Sequence, residues 1–175
     1  MSDPAIQRVI DESAIHEVLY RYCRGVDRCD IELVKSVYWP DAIDDHIFFT
    51  GSGIDFAENV VPMLHGLLEA CQHMLGNIWM HIDDDVACGE TYFQSNHRLC
   101  DGGGQAVAGG RYLDRLERRN GEWRIAERKV KIDWEQNCTS LLGGEENTKK
   151  LFAIDTRNRD DDSYLLFATG TMVRK

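Results

Sequence analysis

The sequence predicts an α+β fold in which helices near the N-terminus cover one face of a curved sheet. Three observations lead to this prediction. Apolar residues recur with helical spacing in the first 71 positions, strand-forming runs follow from about position 77, and Asn120-Gly121 separates two of these runs. Helices early in the chain and a meander of antiparallel strands later are typical of helices packed on one side of a sheet.

The first helix is the most regular element of the sequence. Asp3-Pro4 is a helix start signal, and from Ala14 onward apolar side chains recur every three or four residues. They form one face, made of Ile15, Val18, Leu19, Tyr22 and Val26. The sequence therefore predicts a short N-terminal helical segment and then an amphipathic helix, which brings Asp27 to the edge of its buried face.

Two further helices are predicted before the sheet is complete. Asp30 is a suitable cap for a helix over residues 31–38, which Pro40 would end. An apolar row over residues 55–71 predicts the third helix. His73 follows directly after it.

The remaining regular segments read as strands. They span residues 42–50, 77–82, 86–100, 105–118 and 122–136. A turn at Gly51-Ser52-Gly53 follows the first of them, while Asp83-Asp84-Asp85 and Asp101-Gly102-Gly103-Gly104 separate later ones.

The hairpin around Asn120-Gly121 is the strongest local signal. Asn-Gly provides the two positive-φ positions that a type I′ turn requires. Trp123 and Ile125 share one face of the second strand, whereas the later apolar residues have the opposite parity. These later residues are Ala126, Val130, Ile132 and Trp134. A one-residue change of phase predicts a β-bulge or a bend in this strand.

Arg128 lies among these later apolar residues. Inside the protein its guanidinium would need a carboxylate or a ligand oxygen, because an unpaired buried charge is very costly. If the strand lies at the edge of the sheet, Arg128 is instead solvated. The sequence leaves both interpretations open.

The composition indicates one acidic globular domain. The chain has 175 residues, of which 43% are hydrophobic, and a net charge of −10. This charge argues against nucleic acid as a partner, and no apolar run approaches the roughly 18 residues of a membrane span. Six cysteines without a Cys-x-x-Cys pair, and no signal peptide, predict reduced thiols and a cytoplasmic location.

The character of the sequence changes after Thr139. Residues 1–139 are predicted to form the α+β domain and residues 140–175 a C-terminal extension. The extension contains the apolar patch Tyr164-Leu165-Leu166-Phe167-Ala168. We expect this patch to pack on the body or on a neighbouring subunit, over the mouth of a pocket, because it is too apolar to lie free in solvent.

Four polar side chains are predicted to point inward: Asp27, His73, His97 and Arg128. A carboxylate beside an imidazole fixes the tautomer and stabilises the imidazolium, so the neutral ring can take a proton from carbon or water. This is acid/base chemistry that needs no cofactor. A structural role is more common for each residue alone, and only the set of four favours a site.

A metal site is not predicted. Asp83-Asp84-Asp85 has the composition of a solvated loop, and the spacing of His73, His81 and His97 matches no common zinc pattern. Asp101-Gly102-Gly103-Gly104 lacks the strand-to-helix context of a phosphate-binding loop.

Three segments share their order and spacing with one protein family. They are Tyr22-Cys23-Arg24-Gly25-Val26-Asp27, Gln72-His73-Met74-Leu75-Gly76-Asn77, and Gly110-Arg111-Tyr112-Leu113-Asp114 with the hairpin that follows. Together they resemble the SnoaL-like branch of the nuclear-transport-factor-2-like superfamily, whose lyases include scytalone dehydratases, hexachlorocyclohexane dehydrochlorinases and bile-acid 7α-dehydratases. The resemblance covers roughly residues 6–139. It implies a cone of curved sheet closed by helices around an apolar pocket, frequently in a trimer.

The resemblance also implies roles for individual residues. In those lyases the aspartate that ends the first long helix and the histidine of a His-x-x-x-Asn segment form the catalytic pair, here Asp27 and His73. Tyr22, His97 and Arg128 match a tyrosine, a strand histidine and an inward arginine of particular members. The expected pocket lining is His46, which stands where scytalone dehydratase has a tyrosine, with Asn77, Trp79, Phe93 and Trp134.

The predicted function is a cofactor-independent lyase or isomerase, of the dehydratase type, for a small, largely apolar, oxygenated ring compound. One alternative is a hydrolase that activates water on an epoxide in the same pocket. The other is a non-catalytic assembly module, like the β subunits of ring-hydroxylating dioxygenases. The expected partners are a small-molecule substrate and other copies of the chain, in a trimer or a dimer.

Overall fold

The computed structural model describes residues 3–100, 104–138 and 157–169. The helices are α1 (Pro4–Asp27), α2 (Ile31–Ser36), α3 (Gly53–Asp55), α4 (Val61–Leu67) and α5 (Asp162–Thr169), with a π-helical turn, Phe56–Val60, between α3 and α4. The strands are β1 (Tyr38–Asp45), β2 (Thr50–Ser52), β3 (Leu68–Asp83), β4 (Val86–Leu99), β5 (Gln105–Arg119) and β6 (Glu122–Cys138). The predicted α+β class is confirmed.

Helix α1 is one uninterrupted element of 24 residues. The Asp3 carboxylate accepts a hydrogen bond from the main-chain N–H two residues on (2.9 Å), and Pro4 occupies the first turn, where no N–H is required. At the other end the N–H of Arg28 donates to the carbonyl of Arg24 (3.0 Å). The predicted short segment and long helix are therefore a single helix, and all five residues of its predicted apolar face are buried.

Helix α2 is shorter than predicted. Asp30 caps it as expected, by accepting a hydrogen bond from the N–H of Leu33 (3.2 Å). The helix nevertheless ends at Ser36, and Tyr38 begins β1. Pro40 lies inside that strand at a shift of register against β6, a place where a strand tolerates a missing N–H.

The strand predicted over residues 42–50 is divided into β1 and β2. A tight turn separates them, in which the N–H of His46 donates to the carbonyl of Phe49 (2.8 Å). Gly51 and Ser52, which were predicted as a turn, belong to β2 and pair with β1.

The third predicted helix ends four residues early. The apolar spacing continues past Leu67, but Leu68 pairs with Leu99 of β4, and this pairing draws the chain into β3. A π-helical turn directly precedes α4, whose Pro62 has no N–H to donate to the carbonyl four residues earlier. His73 consequently lies on a strand.

The sheet is mixed and unclosed. Its strand order is β2-β1-β6-β5-β4-β3, with β1 and β6 parallel and the other neighbours antiparallel. Helix α1 packs against β3 and β6, on the inner face of the curved sheet. Strand β6 lies between β1 and β5, so Arg128 is not on an edge strand.

The β5–β6 hairpin has the predicted turn and bulge. Asn120 and Gly121 have φ angles of 55° and 82°, as a type I′ turn requires. Ile125 and Glu127 pair with successive residues of β5, which leaves Ala126 as the extra residue. The bulge explains the change of parity in the sequence.

The core lies between the helices and the inner face of the sheet. Its largest fully buried side chains include Arg128, Tyr22, Tyr38, Tyr112, Phe56, Ile15, Leu19 and Ile125. One charged residue and three tyrosines in this set distinguish it from a purely aliphatic core.

Two predictions lie outside the described residues. They are the domain boundary at 139–140 and the loop over residues 101–103. In the described ranges, no helix has both the length and the apolar character needed to cross a membrane.

Candidate active site

Asp27 and His73 form a partly buried carboxylate–imidazole pair. Nδ1 of His73 lies 2.6 Å from Oδ1 of Asp27, and the main-chain N–H of His73 donates to Oδ2 (2.9 Å). The two side chains are 13% and 10% exposed, and 46 positions separate them in the sequence. With Nδ1 as the donor, Nε2 of the neutral ring is the free basic nitrogen.

Two further side chains lie beside His73 on the inner face of β3 and β4. Cys71 and His97 are directly opposite each other across these strands, and His73 is the next residue on the same side of β3. Sγ of Cys71 is 3.8 Å from Nδ1 of His73, and the centroids of the His73 and His97 rings are 6.2 Å apart. Burial lowers the pKa of His97, and the neighbouring His73 lowers it further. Both effects favour the neutral imidazole.

Cys71 was missed in the sequence. Alternation along a strand would have placed it on the side of His73, but residues 55–71 were predicted as helix. Burial raises the pKa of the Cys71 thiol, so the free side chain is a neutral, weakly polar neighbour of the pair.

A cavity of about 320 Å³ lies at the pair. Its lining consists of Tyr20, Cys23, Arg24, Asp27, Arg28, His73 and Leu75. Arg24 and Arg28 bring positive charge to this lining. A small molecule bound in this cavity would therefore lie next to Asp27 and His73.

Tyr22 belongs to a second polar cluster. Its hydroxyl lies 2.9 Å from Nε2 of His46, and Nδ1 of His46 contacts one carboxylate oxygen of Asp44. The hydroxyl of Tyr38 donates to the other oxygen (2.5 Å). Burial raises the pKa of Tyr22 well above its usual value, so its hydroxyl stays protonated. Asp44, which is fully buried, was missed in the sequence.

Arg128 is fully buried beside this cluster. Its guanidinium forms a bidentate pair with Asp114 (both contacts 2.7 Å), so it has the carboxylate partner that one interpretation required. The rings of Tyr22 and Tyr112 lie on it, with centroids 4.1 and 4.2 Å from the central carbon. Among the residues that the structure describes, no atom accepts a hydrogen bond from its Nη1.

Phe93 and Tyr112 connect the two clusters. Their rings are stacked, with centroids 4.3 Å apart. Phe93 lies 6.3 Å from the ring of His73, and Tyr112 lies 5.7 Å from the ring of Tyr22. Phe93, which was predicted to line the pocket, therefore lies next to the pair but not in the lining of the cavity there.

Three predicted pocket residues do not lie at the site, which corrects the sequence prediction. Trp79 is 80% exposed and Asn77 is also exposed, because a register shift in β3 places Ile78 on the inner side. Trp134 is 47% exposed and covers Gly109, where a Cβ atom would lie 2.3 Å from the indole ring.

Arg157 reaches the site from the C-terminal segment and was missed in the sequence. It is 6% exposed, and its guanidinium donates to the carbonyl oxygens of Leu68 (2.6 Å) and Asp27 (3.2 Å), with two more carbonyls at 3.5 Å. A cation at the C-terminal end of α1 also faces the favourable end of the helix dipole. One side chain thus joins the end of α1 to the start of β3, the elements that carry Asp27 and His73.

Other residues of segment 157–169 contact the body. Arg159 and the hydroxyl of Tyr164 both bind the carboxylate of Asp30 (2.8 Å each). Burial raises the pKa of Asp30, but these hydrogen bonds outweigh it and hold the pKa below its usual value. Arg24 lies over the ring of Phe167, which remains 73% exposed.

Comparisons with known proteins agree with this fold. The family model of the SnoaL-like domain matches residues 7–129. A candidate scytalone dehydratase from Novosphingobium aromaticivorans is 15% identical, with a TM-score of 0.71, over 78% of this chain and 93% of that one. A hexachlorocyclohexane dehydrochlorinase from Novosphingobium barchaimii is 19% identical, with a TM-score of 0.69, over 78% and 96%.

A nuclear-transport-factor-2-like protein from Salmonella enterica is also similar, with 19% identity and a TM-score of 0.65 over 80% of this chain and 99% of that one. At these identities the structures support the fold alone. No curated protein matches the chain by sequence.

Proposed function

Because this chain belongs to the SnoaL-like domain family, we propose that it is a cofactor-independent lyase of the dehydratase type. Its substrate would be a small, largely apolar, oxygenated ring compound. The observation that carries the proposal is the Asp27–His73 pair, with its 2.6 Å contact beside a cavity. The family has non-enzymatic members, so the fold alone does not favour an enzyme, whereas this pair does.

His73 is the proposed general base. Its Nδ1–H donates to Asp27, so Nε2 can accept a proton from a carbon next to an activating group. The imidazolium that forms is stabilised by the adjacent carboxylate. The second contact of Asp27, with the main-chain N–H of His73, keeps the carboxylate oriented during this change.

The second polar cluster does not line the cavity at the pair, so it would stabilise the oxygen that gains negative charge in a substrate that reaches past Phe93 and Tyr112. The Asp44 carboxylate makes Nδ1 of His46 the donor, so Nε2 of the neutral ring accepts the hydroxyl hydrogen of Tyr22, and Tyr22 donates to a carbonyl or leaving oxygen only when His46 is protonated. Nη1 of Arg128 is a second donor, because no described residue accepts from it. His97 is a third candidate, since it lies beside the base.

In an elimination each of these groups has a separate role. The proton moves from carbon to Nε2 of His73, and the electrons of the broken C–H bond form the new double bond. The leaving hydroxyl takes a proton from the His73 imidazolium and departs as water, which restores the neutral base. General acid/base assistance contributes about 10²–10⁴-fold per group. A base with one or two oxygen donors is therefore sufficient for a carbon that is already acidic.

The first experiment measures proton abstraction directly. Purified protein is incubated in deuterium oxide with a panel of cyclic β-hydroxy ketones, and nuclear magnetic resonance follows elimination and exchange of the α-proton. We expect His73→Ala to lower the rate at least about 10²-fold. Asp27→Asn should also lower it, because the ring would no longer be held in the tautomer that leaves Nε2 free. His81→Ala is the matched control, because His81 is exposed on the outer side of the same strand.

The result separates this function from its alternatives. Elimination that His73→Ala retains in full would contradict the assigned base. Hydration of a cyclic epoxide, without any elimination, would identify the same pocket as a hydrolase. Activity towards neither class, together with a stable complex with another polypeptide, would favour an assembly module.

A further inference from the structure

Three side chains that can bind metal converge on the inner face of β3 and β4. Cys71 and His97 are directly opposite each other, and His73 is the next residue on that face. One donor atom of each lies within 4.8 Å of the donor atoms of the other two. The arrangement is set by a Cys-x-His pair on one strand and one histidine on its neighbour, so it depends on the sheet rather than on flexible loops.

The surroundings suit a metal ligand. Cys71 is buried, and both histidines are partly buried. The contact of Nδ1 of His73 with Asp27 leaves Nε2 available, and a metal-binding histidine usually has such a carboxylate behind it. The carboxylate that orients a general base would orient a metal ligand in the same way.

The donor set selects the metal by its softness. One sulfur and two imidazole nitrogens favour Zn²⁺ over Ca²⁺ or Mg²⁺, which prefer oxygen. We propose that Cys71, His73 and His97 bind Zn²⁺, and that the bound ion blocks the base of the reaction proposed above. This second part depends on the proposed function, whereas metal binding does not.

The charges of the site allow this binding. Two Zn–N bonds and one Zn–S bond form, and the proton of the Cys71 thiol is released to solvent. The guanidinium of Arg157, which binds the carbonyl oxygens of Asp27 and Leu68, is a neighbouring positive charge that opposes a cation. The Cys71 thiolate and the Asp27 carboxylate together offset the two positive charges of the ion.

Cobalt is the probe, because a Co²⁺–thiolate bond gives a charge-transfer absorption band that free Co²⁺ lacks. The full-length protein is freed of metal with a chelator and titrated with Co²⁺. We expect a saturable band at one ion per chain, which Zn²⁺ removes by competition. Cys71→Ser should abolish the band and His97→Gln should weaken binding at least about tenfold.

Cys88→Ser is the matched control, because Cys88 is an exposed cysteine on β4 and should leave the band unchanged. Circular dichroism of each variant shows whether it is folded. Absence of a thiolate band in the wild-type protein, or a band that persists in folded Cys71→Ser, would overturn the site.

Activity provides a separate readout. Zn²⁺ should inhibit the elimination in the wild-type protein, and the ratio of rates with and without Zn²⁺ should approach one in Cys71→Ser. Activation by Zn²⁺ would overturn the inhibitory role. A thiolate band in a protein without elimination activity would contradict the proposed function while supporting the metal site.

Discussion

Replacing Asp114 with asparagine should lower the free energy of unfolding by about 3–5 kcal/mol. The Arg128 guanidinium is fully buried, and Asp114 supplies its only carboxylate contacts among the described residues, both at 2.7 Å. Its Nη1 already has no partner there. Removing the counter-charge therefore leaves a desolvated cation. The rings of Tyr22 and Tyr112 compensate for only a small part of the free-energy cost of this unpaired charge.

The same two strands provide a matched control. Arg111 on β5 and Asp133 on β6 form a bidentate pair at 2.9 Å on the outer face. Their side chains are 31% and 38% exposed, and Arg111 also contacts Glu90. Water and the remaining partner should compensate for Asp133→Asn, so its effect on stability should be much smaller.

Urea unfolding, followed by tryptophan fluorescence, measures both variants under one set of conditions. Equal losses for Asp114→Asn and Asp133→Asn, or a loss below about 1 kcal/mol for Asp114→Asn, would refute the reasoning. The double variant Asp114→Leu/Arg128→Met should recover much of the lost stability, because it removes both charges together. That recovery keeps the prediction testable if the single variant does not fold.

Three further predictions concern Arg157, His97 and the oligomeric state. Arg157→Ala should destabilise the protein more than Arg159→Ala, because only Arg157 binds buried carbonyls; equal urea midpoints would contradict this. The pKa of His97 is lowered on folding, so its contribution to stability is complete above about pH 6.5 and is lost as the pH falls below that value. His97→Gln should flatten the dependence of the urea midpoint on pH between about 7.5 and 5.5, and an unchanged slope would exclude His97 as its source. Light scattering should give a multiple of the 20.0 kDa chain mass, and a monomer would contradict the expected oligomer.

The sheet could be predicted where local chemistry decides it. Asn120-Gly121 required a tight hairpin, and the parity change around Ala126 required a bulge, because both follow from backbone geometry within a few residues. The start of β3 at Leu68 could not be predicted in this way. The helical spacing before it continues past the boundary, and only pairing with β4, about 30 residues later, ends the helix.

The candidate site could also be predicted only in part from the sequence. The Asp27–His73 contact was expected from family resemblance and inward parity. Trp79 was assigned to the wrong face because the strand was predicted to begin at residue 77, so the register shift between Leu75 and Ile78 was not recognised.

Arg157 was missed because it lies in no periodic pattern and its partners are 89 and 130 positions away. Asp44 was overlooked although it alternates with Ala42 on the buried side of β1 and its partners, Tyr38 and His46, are near in sequence.

The position of Arg157 late in the sequence bears on how the protein is synthesised. All six strands and α1 precede it, so a ribosome has already made the whole sheet when this residue is added. Domains begin to fold during translation, from the N-terminus onward. A chain interrupted before Arg157 would then retain Asp27 and His73 without the guanidinium that binds the carbonyls beside them. Completion of the site is in this way tied to translation of the chain through Arg157.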